Sequence, residues 1–161
     1  MIASVVVTVA NEDELLAAQR FYESREYGGA AIVPSDFVVL AKERDRIVGV
    51  GRLSQEDTLW LRGMQVEPLF QRQGIGARIL RRLDQEISRR WCCCLPYDHL
   101  VGFYRQAGFE RADGNLPPAL ATRLESYLSR GLKVVAMIRD TGSRPNHSFK
   151  PTPSARLNSR R

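Results

Sequence analysis

Two kinds of hydrophobic pattern follow one another along this chain. In four early segments apolar residues alternate with polar ones or are β-branched, as in half-buried β-strands. These segments are residues 4–9, 37–42, 47–53 and 59–66. The second and third flank a charged turn at 43–46, which predicts an antiparallel hairpin. Three later strands are predicted at residues 92–95, from Phe109, and at residues 134–138.

Helical spacing of apolar residues predicts helices between these strands. Asn11 and Glu14 have the spacing of a capping box, which predicts a helix start. A second helix is predicted over residues 74–90, where isoleucine and leucine recur at helical spacing. Residues 25–34, which include two adjacent glycines, are predicted to be irregular.

Two further helices are predicted in the second half of the chain. Asp98 is placed to cap the first of them, and Gly108 is placed to end it. A pair of prolines at 117–118 precedes leucines at helical spacing, and Gly131 is placed to stop this second helix.

Residues 66–77, Val-Glu-Pro-Leu-Phe-Gln-Arg-Gln-Gly-Ile-Gly-Ala, join a predicted strand to a predicted helix. The first turn of a helix has four backbone N–H groups without intrahelical partners, and the peptide dipoles add positive charge there. Gly74 and Gly76 remove Cβ atoms that would hold an anion off the backbone. Arg72 can add a charge-assisted hydrogen bond. The segment therefore predicts a phosphate or pyrophosphate site.

Two common nucleotide motifs do not fit this segment. A P-loop needs four residues between its glycines and then Lys-Ser or Lys-Thr, which are absent from the sequence here. A dinucleotide fingerprint needs a third Gly or Ala where Ile79 stands, and an early βαβ unit. Residues 71–76 instead match the pattern Gln/Arg-x-x-Gly-x-Gly/Ala. That pattern is the acetyl-CoA signature of the GCN5-related N-acetyltransferases, the GNAT family.

A second segment supports the same resemblance. Residues 103–109, Phe-Tyr-Arg-Gln-Ala-Gly-Phe, resemble the family's Phe-Tyr-x-x-x-Gly-Phe signature, in the expected order and separation. The chain is thus similar to the GNAT family over about residues 1–139. The resemblance implies an α/β fold with a mixed, mostly antiparallel sheet of about six to seven strands flanked by helices. The helix predicted between the last strands is an addition to the basic family plan.

The resemblance also implies roles for single residues. Acetyl-CoA would be the acyl donor and no metal is called for. The Val66 backbone would pair with the pantetheine arm and could polarise the thioester carbonyl. Tyr104 would protonate the departing thiolate, since a phenol with a pKa of about 10 keeps its proton at neutral pH; its other role would be a core aromatic beside Phe103. The predicted cofactor-binding residues are Val66, Gln71, Arg72, Gln73, Gly74, Ile75, Gly76 and Ala77.

The general base and the acceptor site stay open at this point. Histone acetyltransferases of this family carry a glutamate on the strand before the signature, but Trp60 stands at that position here. A water-mediated path, or an amine that binds already neutral, needs no base. The nearby base candidates, which also suit plain surface roles, are Glu56, Asp57, Glu67 and His99. The acceptor candidates, which equally suit an exposed helix end, are Tyr22, Glu23, Glu26 and Tyr27.

Composition agrees with one enzyme-sized domain. At 161 residues and 43% hydrophobic content, the chain is sized for one core. Three consecutive cysteines, residues 92–94, lack the C-x-x-C spacing of a zinc site and are odd in number for disulfides. They are predicted to be small buried residues of a strand.

Positive charge is concentrated at the C-terminal end. Residues 141–161 hold five basic and no acidic residues, whereas residues 1–140 have a net charge of +1. Residues 140–161 are therefore predicted to be a basic, disordered tail. Five charges without interleaved aromatics are weak evidence for nucleic-acid binding, so that partner is not expected. No apolar run approaches the ~20 residues of a membrane span and no signal peptide is evident, so a cytoplasmic location is expected.

The sequence thus predicts an acetyl-CoA-dependent N-acetyltransferase. It would move an acetyl group to a primary amine of a small molecule or peptide by direct attack in a ternary complex. The alternative is a non-catalytic module of the same fold that senses acyl-CoA or binds a partner. Tyr104 favours catalysis, while the lack of an evident base keeps the alternative open. The added helix could line the acceptor pocket or a homodimer interface.

Overall fold

The computed structural model describes residues 4–140, which contain seven β-strands and four α-helices. The strands are β1 (Val5–Val9), β2 (Phe37–Glu43), β3 (Arg46–Gln55), β4 (Leu59–Val66), β5 (Cys92–Cys94), β6 (Glu110–Arg111) and β7 (Met137–Arg139). The helices are α1 (Leu15–Ser24), α2 (Ile75–Ile87), α3 (Val101–Arg105) and α4 (Pro118–Ser129). Among residues 4–140 no helix is long and apolar enough to cross a membrane. The predicted tail, residues 140–161, lies outside the described residues except for Asp140.

The strands form one mixed sheet in the order β1-β2-β3-β4-β5-β7-β6. The pairs β1–β2, β2–β3, β5–β7 and β6–β7 are antiparallel. Strands β4 and β5 are parallel, with Trp60 opposite Cys93. Helix α4 lies between β6 and β7 in the chain. The predicted fold, including the added helix between the last strands, is therefore confirmed.

The first elements agree closely with their sequence patterns. The Asn11 backbone N–H donates to Glu14 Oε1 and the Glu14 N–H donates to Asn11 Oδ1, both at 3.0 Å, so the capping box is confirmed. The hairpin of β2 and β3 turns at Arg44, which has a left-handed φ of 58°. Strand β4 has the predicted bounds.

The largest boundary shifts, of three residues each, are at the end of α2 and at the start of β7. Helix α2 ends at Ile87, not at residue 90, because Ser88 has a left-handed φ of 55°. Strand β7 begins at Met137, because Val134 forms only an isolated bridge with Tyr97.

The prediction that Asp98 caps α3 is wrong. A 3-10 turn, Asp98–Leu100, precedes the helix, and Leu100 takes the N-cap position without a side-chain bond. Asp98 is held instead through its backbone, since its N–H donates to the Lys133 carbonyl at 2.8 Å. The tighter turn moves the helix start away from the aspartate.

The chain divides into two compact units, each with its own apolar core. The first unit comprises the described residues up to Gln55 together with Leu61–Glu86, and the second comprises Glu56–Trp60 together with the residues from Ile87 onward. The first unit buries a cluster of Ala18, Tyr22, Val38, Leu40 and Val50. The second unit buries a cluster of Trp60, Cys93, Leu120, Ala136 and Ile138.

The three consecutive cysteines are small buried residues of β5, as predicted. Their exposed fractions are 0% for Cys92, 0% for Cys93 and 2% for Cys94, and none of the three forms a disulfide. Burial raises the pKa of the Cys94 thiol well above its ordinary value.

Helix α2 lies close to β3 because two glycines leave room for its apolar side chains. A Cβ on Gly49 would lie 3.0 Å from Cδ1 of Ile79, and a Cβ on Gly51 would lie 3.2 Å from Cδ1 of Leu83. Both helix side chains are fully buried. The two glycines therefore fix the position of α2 and of the turn that leads into it.

Replacing Gly51 with alanine should lower the free energy of unfolding by about 1–3 kcal/mol, because the added methyl group would collide with Sδ of Met64 and would also overfill the contact with α2. Urea unfolding followed by circular dichroism measures this change. Gly102→Ala is the matched control, since a Cβ at this helical glycine would meet no atom within 4 Å. It should leave stability unchanged or raise it slightly. Equal losses in the two variants would contradict the packing role of Gly51.

Candidate active site

All eight predicted cofactor-binding residues lie on one strand-turn-helix segment of the first unit. Strand β4 ends at Val66, a 3-10 turn spans Pro68–Phe70, and α2 begins at Ile75. Residues 71–74 are exposed, whereas Ile75 is buried and anchors the start of the helix. The structure thus brings the predicted residues together at the surface of this unit.

The start of α2 presents a row of backbone N–H groups. Within the described residues, the N–H groups of residues 74–77 donate to no protein acceptor, and the first backbone bond is from Arg78 N–H to the Gly74 carbonyl at 3.0 Å. The first turn of α2 contains no acidic side chain. Aligned peptide dipoles add positive charge at this end of the helix. This geometry suits a phosphate or pyrophosphate.

Two residues of the turn have left-handed backbone conformations. Gly74 has a φ of 82°, and a Cβ there would meet no protein atom within 4 Å. Glycine is therefore favoured at this position by the backbone conformation and not by crowding from other protein atoms. Arg72 has a φ of 65° although it carries a side chain. Strain of this kind is concentrated at functional sites.

The side chains of the turn divide into two groups. Gln71 Nε2 donates to the Val66 carbonyl at 2.8 Å, and Gln73 Nε2 donates to the Leu69 carbonyl at 3.3 Å. These two amides close the turn on itself. The exposed Arg72 makes no hydrogen bond or ion pair with another described residue, so its guanidinium can bind an anion.

The four acceptor candidates at the end of α1 separate into interior and surface residues. Tyr22 is 1% exposed, its hydroxyl donates to the Gly63 carbonyl at 2.7 Å, and its ring stacks on Tyr27 with centroids 4.6 Å apart. Burial raises the pKa of the Tyr22 hydroxyl above its ordinary value. Glu23 and Glu26 are exposed. Tyr22 therefore lies in the core, and the two carboxylates lie at the surface.

Arg52 is a buried charge that is not among the residues predicted from the sequence. Its side chain is fully buried, its Nε lies 3.3 Å from Oδ2 of Asp36, and its Nη2 donates to the Ala30 carbonyl at 2.5 Å. The guanidinium lies over the rings of Tyr22 and Tyr27, at 5.0 and 5.8 Å from their centroids. The sequence contains one indication that Arg52 is buried, because strand alternation places it on the same face as the buried valines of β3.

Tyr104 lies in the second unit, on the short helix α3. Its side chain is 6% exposed, and its ring packs edge-on against Phe103 at 5.0 Å and Phe109 at 6.2 Å. Gly108 ends this helical segment with a φ of 86°, as predicted. The ring therefore has core contacts, and the proposed role of the hydroxyl in catalysis stays a prediction.

Comparison with known proteins decides the family. Residues 34–111, which contain both sequence signatures, match the model of the acetyltransferase (GNAT) domain. The chain therefore contains a GNAT acetyltransferase domain over these residues. No curated protein sequence matches it significantly.

Solved structures show the same GNAT fold. The ribosomal-protein-S18-alanine N-acetyltransferase from Escherichia coli is 15% identical, with a TM-score of 0.62 over 91% of this chain and 99% of its own. Rv2747 from Mycobacterium tuberculosis, in complex with CoA and NLQ, is 19% identical, with a TM-score of 0.61 over 84% of this chain and 98% of its own. N-acetylglutamate synthase from Neisseria gonorrhoeae, complexed with coenzyme A and N-acetyl-glutamate, is 18% identical, with a TM-score of 0.58 over 86% of this chain and 35% of its own. At these identities the likeness shows the fold alone.

The base candidates of this GNAT domain are engaged elsewhere or exposed. Glu56 pairs with Arg123 at 3.2 Å, and Glu67 pairs with Arg46. Asp57 and His99 are exposed. In the described part of the chain, no group of three or more His, Cys, Asp or Glu side chains could hold a metal ion.

Trp60 occupies the strand position of the glutamate found in histone acetyltransferases. It is 2% exposed and belongs to the core cluster of the second unit. The Arg123 guanidinium lies 4.4 Å from its ring centroid, within the range of a cation–π contact. An aromatic core residue thus stands where a base would be expected, and the base stays unassigned.

Proposed function

We propose that this GNAT domain moves an acetyl group from acetyl-CoA to a primary amine of a small molecule or peptide, by direct attack in a ternary complex. The observation that carries the proposal is the start of α2. Within the described residues, its first N–H groups have no protein acceptor, and the side chain of Arg72 beside them is unpaired. This arrangement suits the pyrophosphate of coenzyme A. Coenzyme A in the structures of Rv2747 and the Neisseria synthase favours the same donor here.

Each step of the transfer has a proposed residue. Acetyl-CoA supplies an acetyl group that is activated as a thioester. The turn at residues 71–77 would hold the pyrophosphate through backbone N–H groups, with Arg72 adding a charge-assisted hydrogen bond. Val66 would pair with the pantetheine arm, and its N–H would stabilise negative charge on the thioester oxygen. The Tyr104 hydroxyl would give its proton to the sulfur as the carbon–sulfur bond breaks.

The attacking amine must be neutral when it reaches the carbonyl carbon. Because the candidate bases are ion-paired or exposed, we propose that the amine binds already neutral or passes its proton to water. The candidate bases do not identify the acceptor amine. The similar structures include a ribosomal-protein-alanine N-acetyltransferase and an N-acetylglutamate synthase. A useful amine panel therefore contains peptide N-termini as well as amino acids. A homodimer and a cytoplasmic location stay predictions.

The test is a thiol-release assay with acetyl-CoA over such a panel, preceded by calorimetry with acetyl-CoA alone. Binding in the micromolar range and thiol release with at least one amine are expected. Absence of binding at high micromolar acetyl-CoA would contradict the proposal and its alternative together. Binding without release by any amine would favour the non-catalytic acyl-CoA-sensing module.

A further inference from the structure

Strand β4 changes its conformation at Gly63, three residues before Val66. Gly63 has a left-handed φ of 71° although it lies inside the strand. A residue of this conformation interrupts the regular alternation of a strand and redirects the residues that follow. The direction of the last residues of β4, Met64–Val66, therefore depends on Gly63.

Tyr22, on helix α1, makes a hydrogen bond to the break in β4 at Gly63. Its hydroxyl donates to the Gly63 carbonyl at 2.7 Å, across 41 positions of sequence. A Cβ at position 63 would collide with this hydroxyl, so glycine is required by both the φ angle and the contact. Because burial favours the neutral phenol, the hydroxyl remains a hydrogen-bond donor at physiological pH.

The position of Tyr22 is itself fixed by buried neighbours. Its ring stacks on the ring of Tyr27, and the guanidinium of Arg52 lies against both rings. Arg52 is held by Asp36 and by the Ala30 carbonyl. The hydroxyl that meets Gly63 therefore has one well-defined place.

The far end of the same segment is also held. The Val66 carbonyl accepts from Gln71 at 2.8 Å, and the Glu67 N–H donates to the Val48 carbonyl at 2.8 Å. Residues 64–66 are thus fixed on both sides, by Tyr22 before them and by Gln71 and Glu67 after them. A short backbone segment held in this way is preorganised to pair with an extended ligand.

We propose that Tyr22 is a positioning residue for the acyl donor, which fixes the break at Gly63 so that Met64–Val66 present their backbone to the pantetheine arm. This inference rests on the proposed function, in which Val66 pairs with that arm. It assigns Tyr22 to the donor half of the reaction, whereas its place on α1 suggested the acceptor half.

The test compares Tyr22→Phe with wild-type protein for two ligands by calorimetry. The ligands are acetyl-CoA and adenosine 3′-phosphate 5′-diphosphate, the part of coenzyme A that lacks the pantetheine arm. Tyr22→Phe should bind acetyl-CoA about three- to tenfold more weakly, the effect of one lost hydrogen bond, and bind the nucleotide as wild type does. Tyr97→Phe, which removes an exposed phenol hydroxyl from the second unit, should bind both ligands as wild type does.

Hydrogen exchange without ligand gives a second readout. Amides of residues 61–67 should exchange faster in Tyr22→Phe than in wild type or Tyr97→Phe. Equal weakening for both ligands would assign Tyr22 a general structural role and overturn the inference, as would unchanged binding of both. If wild-type protein binds neither ligand, the proposed function fails. The exchange rates then decide alone whether Tyr22 fixes β4: faster exchange supports it, and unchanged exchange overturns it.

Discussion

Replacing Tyr104 with phenylalanine should lower kcat by about ten- to a thousandfold while leaving the Kd for acetyl-CoA nearly unchanged. Only the hydroxyl is lost in this variant, because the phenylalanine ring keeps the edge-on contacts with Phe103 and Phe109. The departing sulfur would then leave without its proton donor. Steady-state thiol release gives kcat, and calorimetry gives the Kd.

Two controls make the Tyr104 result specific. Tyr97→Phe removes a hydroxyl from an exposed phenol and should keep the wild-type kcat. Thermal unfolding of Tyr104→Phe should match that of wild type within a few degrees. If kcat does not change, Tyr104 has the other role, that of a core aromatic, and the proton donor lies elsewhere.

Replacing Gly74 with alanine should weaken acetyl-CoA binding about tenfold or more, because the new methyl group stands at the N–H groups proposed to hold the pyrophosphate. The left-handed φ of 82° also adds a strain of about 1–2 kcal/mol for any residue with a Cβ. Calorimetry with acetyl-CoA measures the first effect, and urea unfolding measures the second.

Gly131→Ala is a matched control for this variant. Gly131 has the same φ of 82°, and a Cβ there also meets no atom within 4 Å. Gly131→Ala should lose a similar amount of stability and keep the wild-type affinity for acetyl-CoA. If Gly74→Ala binds acetyl-CoA as tightly as Gly131→Ala, the anion site does not lie at the start of α2.

Local patterns in the sequence predicted most of the fold. Strand β4 has the predicted bounds because alternation is a property of neighbouring residues, and the capping box depends on residues only three apart. The error at Asp98 has a local cause as well. A 3-10 turn is common at the start of an α-helix, and the sequence does not show that one comes first here.

These local patterns do not predict contacts between residues that are far apart in the sequence. The bond from Tyr22 to Gly63 joins residues 41 positions apart, and neither residue signals the other in the sequence. The contacts of Arg52 are not evident from the sequence because its partners, Asp36 and the Ala30 carbonyl, lie in a segment without periodicity. The signatures predicted a continuous donor segment, whereas the acceptor side depends on residues that only folding brings together.

The buried cysteines of β5 also determine how cleanly the reaction can be followed. The chain contains three cysteines in all, and each is at most 2% exposed. A buried thiol with a raised pKa, such as that of Cys94, reacts slowly with disulfide reagents because little thiolate forms and the reagent has no access. A chromogenic thiol reagent added to the folded protein should therefore report the coenzyme A that is released, with little background colour from the protein itself.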